Sequence, residues 1–466
     1  MIGTLFKRVK DVHFVGVGGV GMSGIAEILL SLGFRVSGSD LRASETTRRL
    51  ESLGARIWIG HDTDHLEKAD VVVFSSAVSS DNPEIVAALV RRIPVIPRAE
   101  MLAELMRMQT SIAVAGMHGK TTTTSMIAWI LSAAGLDPTV VIGGKLDTIG
   151  GGAKLGQGDL LVAEADESDR SFLKLYPTIA LVTNMDMEHV ETYSSMEDIR
   201  EAFLTFINRI PFYGYAIVCL DDPHVQRIIP DIEKRFITYG LSSQAVIRCR
   251  EPEFDQGSSA FTVYREDQVL GEVRLPMPGI HNVQDALAAI AVADIFQAPF
   301  ATIKAALDSF PGVQRRFTFR GEAAGVTIID DYGHHPTEIR AVLKAARQIA
   351  PRRTAVLFQP HRYTRTKGLF EEFLTAFHDA DLLYIMDIYP ASEQPIEGVT
   401  GEALCEGIRL RGHKTVRFLG DRGAVAEEVC RDLDPGDILI TLGAGDVTKL
   451  GPEILTRLAK KEKISG

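Results

Sequence analysis

The sequence predicts an α/β protein of three domains: a Rossmann-like N-terminal domain, a central P-loop ATPase domain with a mostly parallel sheet, and a Rossmann-like C-terminal domain. Three observations carry that prediction. Short β-branched runs alternate with helix-length amphipathic segments almost throughout, as βα units around parallel sheets require. The 466 residues are about three times a usual domain of roughly 150, too many for one core. Two glycine-rich loops, one near residue 18 and one near residue 118, each stand between a strand pattern and a helix pattern.

In the first block, 12–17, 35–39, 71–75 and 95–96 read as strands, with helices over 22–32 and 83–91. The second opens near residue 110 with an apolar strand over 111–115, a loop and a helix over 121–134. Buried strands are predicted over 160–164 and 179–183, then an antiparallel meander within 246–275 and an Ala-rich helix over 282–296. The third block begins near Arg315, with strands over 326–329, 355–358, 382–386 and 438–441. The expected domains are therefore 1–107, 108–314 and 315–466.

Hydrophobic residues at 45% and charged residues at 24% exclude a mainly disordered chain. A formal net charge of −11 argues against a nucleic-acid backbone or an anionic membrane as the main partner. The four cysteines (Cys219, Cys249, Cys405, Cys430) form no CxxC pair, which disfavours a disulfide framework and fits buried thiols in a reducing cytosol. No apolar run approaches the ~18 residues of a membrane span. The stretch 12–22 is broken by glycines and lacks a cleavage-site pattern, so no signal peptide is expected. The expectation is a cytoplasmic protein, monomeric or weakly dimeric, without membrane or nucleic-acid partners.

The run Gly16-Val17-Gly18-Gly19-Val20-Gly21 follows a strand and opens a helix, and Asp40 ends the next strand. Glycines let a backbone approach a pyrophosphate at a helix N-terminus, and an acid at that distance can hold a ribose hydroxyl. Such a loop reads diphosphate geometry, so a dinucleotide-dependent dehydrogenase and a protein binding another nucleotide diphosphate both remain open. The second loop is Gly116-Met117-His118-Gly119-Lys120-Thr121-Thr122. Its amides can cradle phosphates, Lys120 can neutralise β and γ oxygens, and Thr121 can place a hydroxyl on Mg²⁺. A dehydrogenase has no use for this second site, which favours ATP-driven chemistry on a nucleotide-linked substrate.

Glu164, at the end of a strand beside the second loop, is the best placed acid for Mg²⁺; its neighbours Asp166, Glu167 and Asp169 read equally well as solvated. His189 can bind a second Mg²⁺ or position a carboxylate. Asn282 is expected to cap the Ala-rich helix. Arg315 and Arg316, at the inferred junction with the third block, can reach across a cleft to transferring phosphoryl charge or form a surface hinge pair. Past two strand ends of the third block lie Asp331, Tyr332, His334 and His335, then His361, Arg362 and Arg365. That set suits a small zwitterion, arginine taking its carboxylate and an acid or histidine its amine. Zinc ligation of the HxxH type is the weaker reading there, because the two histidines are adjacent and no cysteine is near.

Taken together, GVGGVGMSGIA, GMHGKTTT, EADESDRSFL, TNMDMEH, PGIHN, DDYGHHPTE and FQPHRYTRT resemble the motifs of the Mur ligases, in order and over essentially the whole chain. The resemblance implies an ATP- and Mg²⁺-dependent amide ligase that makes a peptidoglycan precursor from UDP-N-acetylmuramate and L-alanine; a relative adding another amino acid or a recycled peptide is the alternative. It places the UDP-sugar at Gly16, Gly18, Gly19, Val20, Gly21, Met22, Asp40, Ser75 and Ser76. ATP falls to residues 116–122 and Asn282, and the metal to Thr121, Glu164 and His189. The amino acid falls to Tyr332, His334, His335, His361, Arg362 and Arg365. Lys120, His189, Arg316 and Asp331 match catalytic positions. The chain departs from the usual pattern at Asp285, where a second Asn is common, at Glu188 in place of Asp, and at Met117 in place of Thr.

Overall fold

The computed structural model describes residues 9–465 except 76, 147–150, 190, 256, 350–351 and 421. Its first sheet has five parallel strands: β1 (Asp11–Val15), β2 (Arg35–Asp40), β3 (Arg56–Ile59), β4 (Val71–Phe74) and β5 (Val95–Pro97). Their order is β3-β2-β1-β4-β5. The strand order reverses at β1, and the loop leaving β1 therefore opens into the crevice where doubly wound sheets take ligands. Helix α1 (Val20–Ser31) follows that loop.

The central sheet has ten strands, β6 (Thr110–Ala115), β7 (Thr139–Leu146), β8 (Gly151–Lys154), β9 (Leu160–Glu164), β10 (Ile179–Val182), β11 (Tyr215–Cys219), β12 (Phe236–Gly240), β13 (Ile247–Asp255), β14 (Ser258–Arg265) and β15 (Gln268–Leu275). They run β15-β14-β13-β12-β11-β10-β6-β9-β7-β8, parallel from β7 to β13, with an antiparallel extension at each edge. Helices α2 (Lys120–Ala133) and α3 (Ile280–Ile295) cover one face. The residues of β6, β9, β10 and β11 are almost all fully buried, so these strands read as unbroken apolar runs.

The third sheet comprises β16 (Thr318–Ala323), β17 (Val326–Asp331), β18 (Thr354–Phe358), β19 (Leu382–Ile385), β20 (Val416–Phe418) and β21 (Ile438–Leu442), ordered β16-β17-β21-β18-β19-β20. Only β16 is antiparallel. Helix α4 (Pro336–Ile349) follows β17, with proline at its first position, where the missing N–H costs nothing.

The cores do not follow the three sheets one to one. One apolar cluster runs unbroken from Phe14, Ile25, Met101 and Leu102 of the first domain into Ala113, Phe172, Leu175 and Phe203 of the central one. The third domain keeps separate clusters on the two faces of its sheet. It meets the central domain mainly through charged and polar groups.

Candidate functional site: a phosphate loop at a polar domain junction

β6 lies between β10 and β9, with Ala115 paired to Val182 and Val114 to Glu164. The loop that leaves β6 is thereby flanked by the ends of both neighbours. Gly116 (φ +134°) and Gly119 (φ +81°) hold conformations that favour glycine. Space forbids anything larger: a β-carbon on Gly116 would stand 1.9 Å from Thr183 Oγ1, and one on Gly119 2.6 Å from Asp285 Oδ1. The loop is pinned from β10, where Thr183 Oγ1 and Asn184 Nδ2 donate to the His118 carbonyl (2.6 and 3.0 Å) and the His118 amide donates to Asn184 Oδ1 (2.9 Å). Helix α2 starts at Lys120 with no side-chain cap. Its first N–H groups are thus left for an anion.

Lys120 Nζ donates to the carbonyls of Gly116 (2.6 Å) and Met117 (3.2 Å) and to Glu167 Oε1 (2.7 Å). Burial opposes its charge, yet the Glu167 carboxylate holds its pKa above the ordinary lysine value. His189, with φ +54°, brings Nε2 within 3.5 Å of the same oxygen. Burial works against its protonation too, and Glu167 with Glu188 raises it all the same. Glu167 is 2% exposed, and its Oε2 is buried without a hydrogen bond. A cation would compensate that oxygen. Together with the Thr121 hydroxyl in the first turn of α2 and the Glu164 carboxylate at the end of β9, it makes an oxygen-rich set that fits Mg²⁺. Glu164 also lies close enough to Arg316 to favour its charge.

Beside the loop a cavity of about 360 Å³ opens between the central and third domains, lined by His118, Gly119, Thr122, Tyr239, Asn282, Asp285, Arg316 and Glu338 among others. Asn282 is not the helix cap. Gly279 (φ +101°) takes that position, because glycine tolerates the left-handed entry, and Asn282 sits inside the first turn donating to the Pro278 carbonyl (2.6 Å). Burial lifts the Asp285 carboxyl to about 7, against the pull of its bond from Thr123 Oγ1 (3.0 Å) and of Arg316. Burial and Arg316 lower His281 to about 4.

The third domain presents Arg316 and the end of β17. Asp331 accepts from the amides of Phe317 (2.7 Å) and Gly333 (2.6 Å), and burial raises its pKa despite Arg316. Both its oxygens therefore already brace the hinge. Arg315 and Arg316 both lie over the Tyr332 ring, 4.9 and 5.3 Å from its centre. Arg316 Nη1 stands 3.6 Å from Glu338 Oε1.

Around His118 the domains meet. Its Nε2 lies 3.1 Å from Asp186 Oδ2 and its Nδ1 3.5 Å from Glu338 Oε1. Burial pulls its pKa down, but these acids lift it to about 10. Thr337 Oγ1 donates to Asp186 (2.5 Å), and Arg365 donates to Glu188 Oε1 through Nε (3.2 Å) and Nη2 (3.0 Å). Glu188 stays well below the ordinary carboxylate range, because His334, His118 and Arg365 outweigh its burial. His361 stacks on Tyr389 and receives Arg365 Nη1 at 3.2 Å. Arg362 faces Glu393 at 3.9 Å.

In the first domain, Gly16 and Val17 donate their amides to the Ser39 carbonyl (2.9 and 3.0 Å). The Gly18 amide donates to Asp40 Oδ2 (2.8 Å), so Asp40 braces the loop itself. A β-carbon on Gly18 would meet that oxygen at 2.8 Å, and one on Gly21 would meet Arg98 at 3.1 Å. Gly19 caps α1, Val20 begins it, and Met22 is 1% exposed within the core. Ser75 adjoins Gly16; Ser76 lies outside the described residues.

The structure thus gathers Lys120, Thr121, Glu164, His189, Asn282, Arg316, Asp331, His334, His335 and Arg365 around one junction, and the glycine loop of the first domain is linked to it by Arg98, which lies beside Gly21 and donates to Asp166 (3.4 Å). The sequence left Glu167 open between a metal-site acid and a solvated one, and gave no role to Asp186 or Glu338. The available signal for Glu167 and Asp186 was a group of acids just past a buried strand, though spacing does not say which acid turns inward; Glu338 lies in the first turn of α4, where an acid is ordinary.

A phosphate loop in the middle domain of a three-domain α/β chain, facing a polar seam, defines a class of nucleotide-dependent enzymes. Three domain models of one family match in register: the "Mur ligase family, catalytic domain" over residues 11–110, the "Mur ligase middle domain" over 114–293 and the "Mur ligase, glutamate ligase domain" over 315–445. The chain belongs to the Mur ligase family. A UDP-N-acetylmuramate–L-alanine ligase from Geobacter sp. (strain M21) is 57% identical over 460 residues, covering 98% of this chain and 100% of that protein. One from Myxococcus xanthus is 55% identical, covering 98% and 97%. The crystal structure of a UDP-N-acetylmuramate–alanine ligase from Thermotoga maritima superposes with a TM-score of 0.80 at 29% identity, over 97% of this chain and 99% of the other.

Proposed function

We propose that this chain joins L-alanine to the carboxylate of UDP-N-acetylmuramate, using ATP and releasing ADP and phosphate. The observation that carries this reading is the phosphate loop with Lys120 held at a junction between two domains, in a chain more than half identical to ligases of that name along nearly its whole length. In this reading the domains divide near 107 and 314. The first holds the sugar nucleotide on its glycine loop, the second holds ATP, and the third holds the amino acid.

A carboxylate is a poor electrophile. Transfer of the γ-phosphoryl group to it gives an acyl phosphate, whose carbon the neutral amine of alanine attacks as phosphate leaves. Lys120 leaves the Gly116 and Met117 carbonyls and Glu167 to face the transferring charge, and Arg316 offsets charge from the hinge side. Thr121, Glu164 and His189 would hold Mg²⁺, which when bound neutralises phosphate oxygens. His334 and Arg365 lie where an amino-acid carboxylate would be drawn to cations. Asp331 fixes the hinge between Phe317 and Gly333, so its part is to position Arg316. Closing the junction excludes water from the acyl phosphate. Among the described residues no helix is long and apolar enough to cross a membrane.

The test is phosphate release from ATP and Mg²⁺ with UDP-N-acetylmuramate present and amino acids supplied in turn. Alanine-dependent release is expected; release only with another amino acid or a peptide would assign the chain to a different branch. Lys120→Ala is expected to lower the rate by about 10³-fold or more with an unchanged circular-dichroism spectrum. A variant that stayed active would remove the loop from the mechanism.

A further inference from the structure

We propose that His118, Glu188 and His335 form a binding site for a borderline divalent metal, with zinc as the best fit, distinct from the Mg²⁺ position at Thr121, Glu164 and His189. One nitrogen of each histidine and one oxygen of Glu188 lie within 4.8 Å of one another. Ligands on one tetrahedral zinc stand about 3.4 Å apart, given bonds of about 2.0–2.1 Å, so a small inward shift completes the set.

Both histidines have a nitrogen to spare. Nε2 of His335 is buried without a hydrogen-bond partner, and Nδ1 of His118 has only Glu338 Oε1 at 3.5 Å, too long for a good hydrogen bond, although buried ring nitrogens are normally satisfied. His335 is 3% exposed and Glu188 5%. The opposite nitrogens face one acid: His118 Nε2 lies 3.1 Å and His335 Nδ1 3.5 Å from Asp186 Oδ2. A carboxylate behind a ligating imidazole fixes its tautomer and strengthens it as a donor. In the metal-free chain His335 Nδ1 accepts a long bond (3.3 Å) from the Thr337 amide. Ligation through Nε2 moves the ring proton to Nδ1, toward Asp186.

Charge favours a cation here as well. Asp186, Glu188 and Glu338 converge on His118, while Arg365 faces Glu188, Arg316 faces Glu338 and His334 stands 3.8 and 3.5 Å from those same two acids, leaving Asp186 to the two histidines. A cation at this site competes with protons for the histidine nitrogens, so binding weakens as the pH falls. Two imidazoles with one carboxylate, and a fourth position open, match zinc, cobalt(II) or nickel(II), whereas Mg²⁺ favours a set dominated by oxygens such as those of Thr121 and Glu164. His118 and Glu188 belong to the central domain and His335 to the third. The ion therefore ties the two together and takes a phosphate-loop residue out of use, so zinc inhibits turnover.

Nucleotide-free full-length protein titrated with Co²⁺ gives the test, read by the visible absorption of four-coordinate cobalt and followed by Zn²⁺ competition. One equivalent is expected to bind, unmoved by a large excess of Mg²⁺. His335→Gln and Glu188→Gln should each weaken binding by about 10–100-fold, with metal-free thermal midpoints and circular dichroism confirming folded chains. Zn²⁺ should raise the midpoint of the wild type and not of His335→Gln. No visible band, displacement by equimolar Mg²⁺, or unchanged affinity in both folded variants would overturn the site and leave the ligase reading untouched.

Discussion

The two junctions between the three domains are built from opposite materials. Between the first and central domains, Met101 and Leu102 continue into Phe172 and Leu175 as a single apolar core. Between the central and third domains, Asp186, Glu188 and His118 meet Thr337, His335, Glu338 and Arg365. Apolar burial is non-directional and stabilises each large side chain by about 1.5–3 kcal/mol; it fixes two bodies together without further instruction. A polar seam depends on charge state and on what enters it. One joint is therefore held by a shared core, the other by paired charges.

The largest expected effect comes from breaking the apolar joint. Phe172 is fully buried against Phe203 and Phe206, with ring centres 5.1 and 5.2 Å away. Phe172→Ala should cost about 3–5 kcal/mol in urea unfolding and destabilise the first and central domains as one unit. A loss below 1 kcal/mol would mean that the two domains do not share a core.

The polar joint should respond to pH instead. His118 sits at about 10 against an ordinary 6.5. A raised value means that its contribution is complete below about 6.5 and fades as the pH climbs through about 10. On the order of 1–3 kcal/mol is involved, after discounting for partial exposure. Small-angle scattering between pH 7.5 and 10 should show the third domain loosening in the wild type, and no further change in His118→Gln. A flat wild-type profile would contradict the assignment.

Asp285 gives the smallest effect and sharpens the picture of the cavity. Its carboxyl titrates near 7 rather than 3.8, so the stability it contributes is present below about 4 and lost as the pH rises through 7. Asp285→Asn keeps an acceptor for Thr123 and escapes that loss. It should be more stable than the wild type by about 1 kcal/mol at pH 8 and equal near pH 4. Identical pH dependence in both proteins would show the carboxyl to be ordinary.

Much of this architecture could be read from the chain, because buried parallel strands announce themselves as short apolar runs. Leu160–Glu164 and Ile179–Val182 are examples. Arg56–Ile59 and Thr318–Ala323 escaped notice as half-exposed edge strands of mixed residues, and Tyr215–Cys219 escaped too although it is buried and internal to its sheet. Lys120 and its glycines were legible, since a phosphate loop is local in sequence. Glu167 was not, because its importance comes from facing Lys120 across 47 positions, and in the sequence it is one acid among four. Asn282 misled for a physical reason. Asparagine is a good helix cap, but the preceding Gly279 reaches the entry conformation more easily.

Strand pairing also acts as an assembly check. Gly116 meets Thr183, and Glu164 stands level with Val114, only because β6, β10 and β9 are aligned to the residue. A slip of one position in either neighbour turns its alternate side chains to the opposite face. The wall which that strand supplies to the phosphate loop would then vanish. A misthreaded chain would therefore lack an ordered loop, so a correctly shaped loop reports correct strand register in the central sheet.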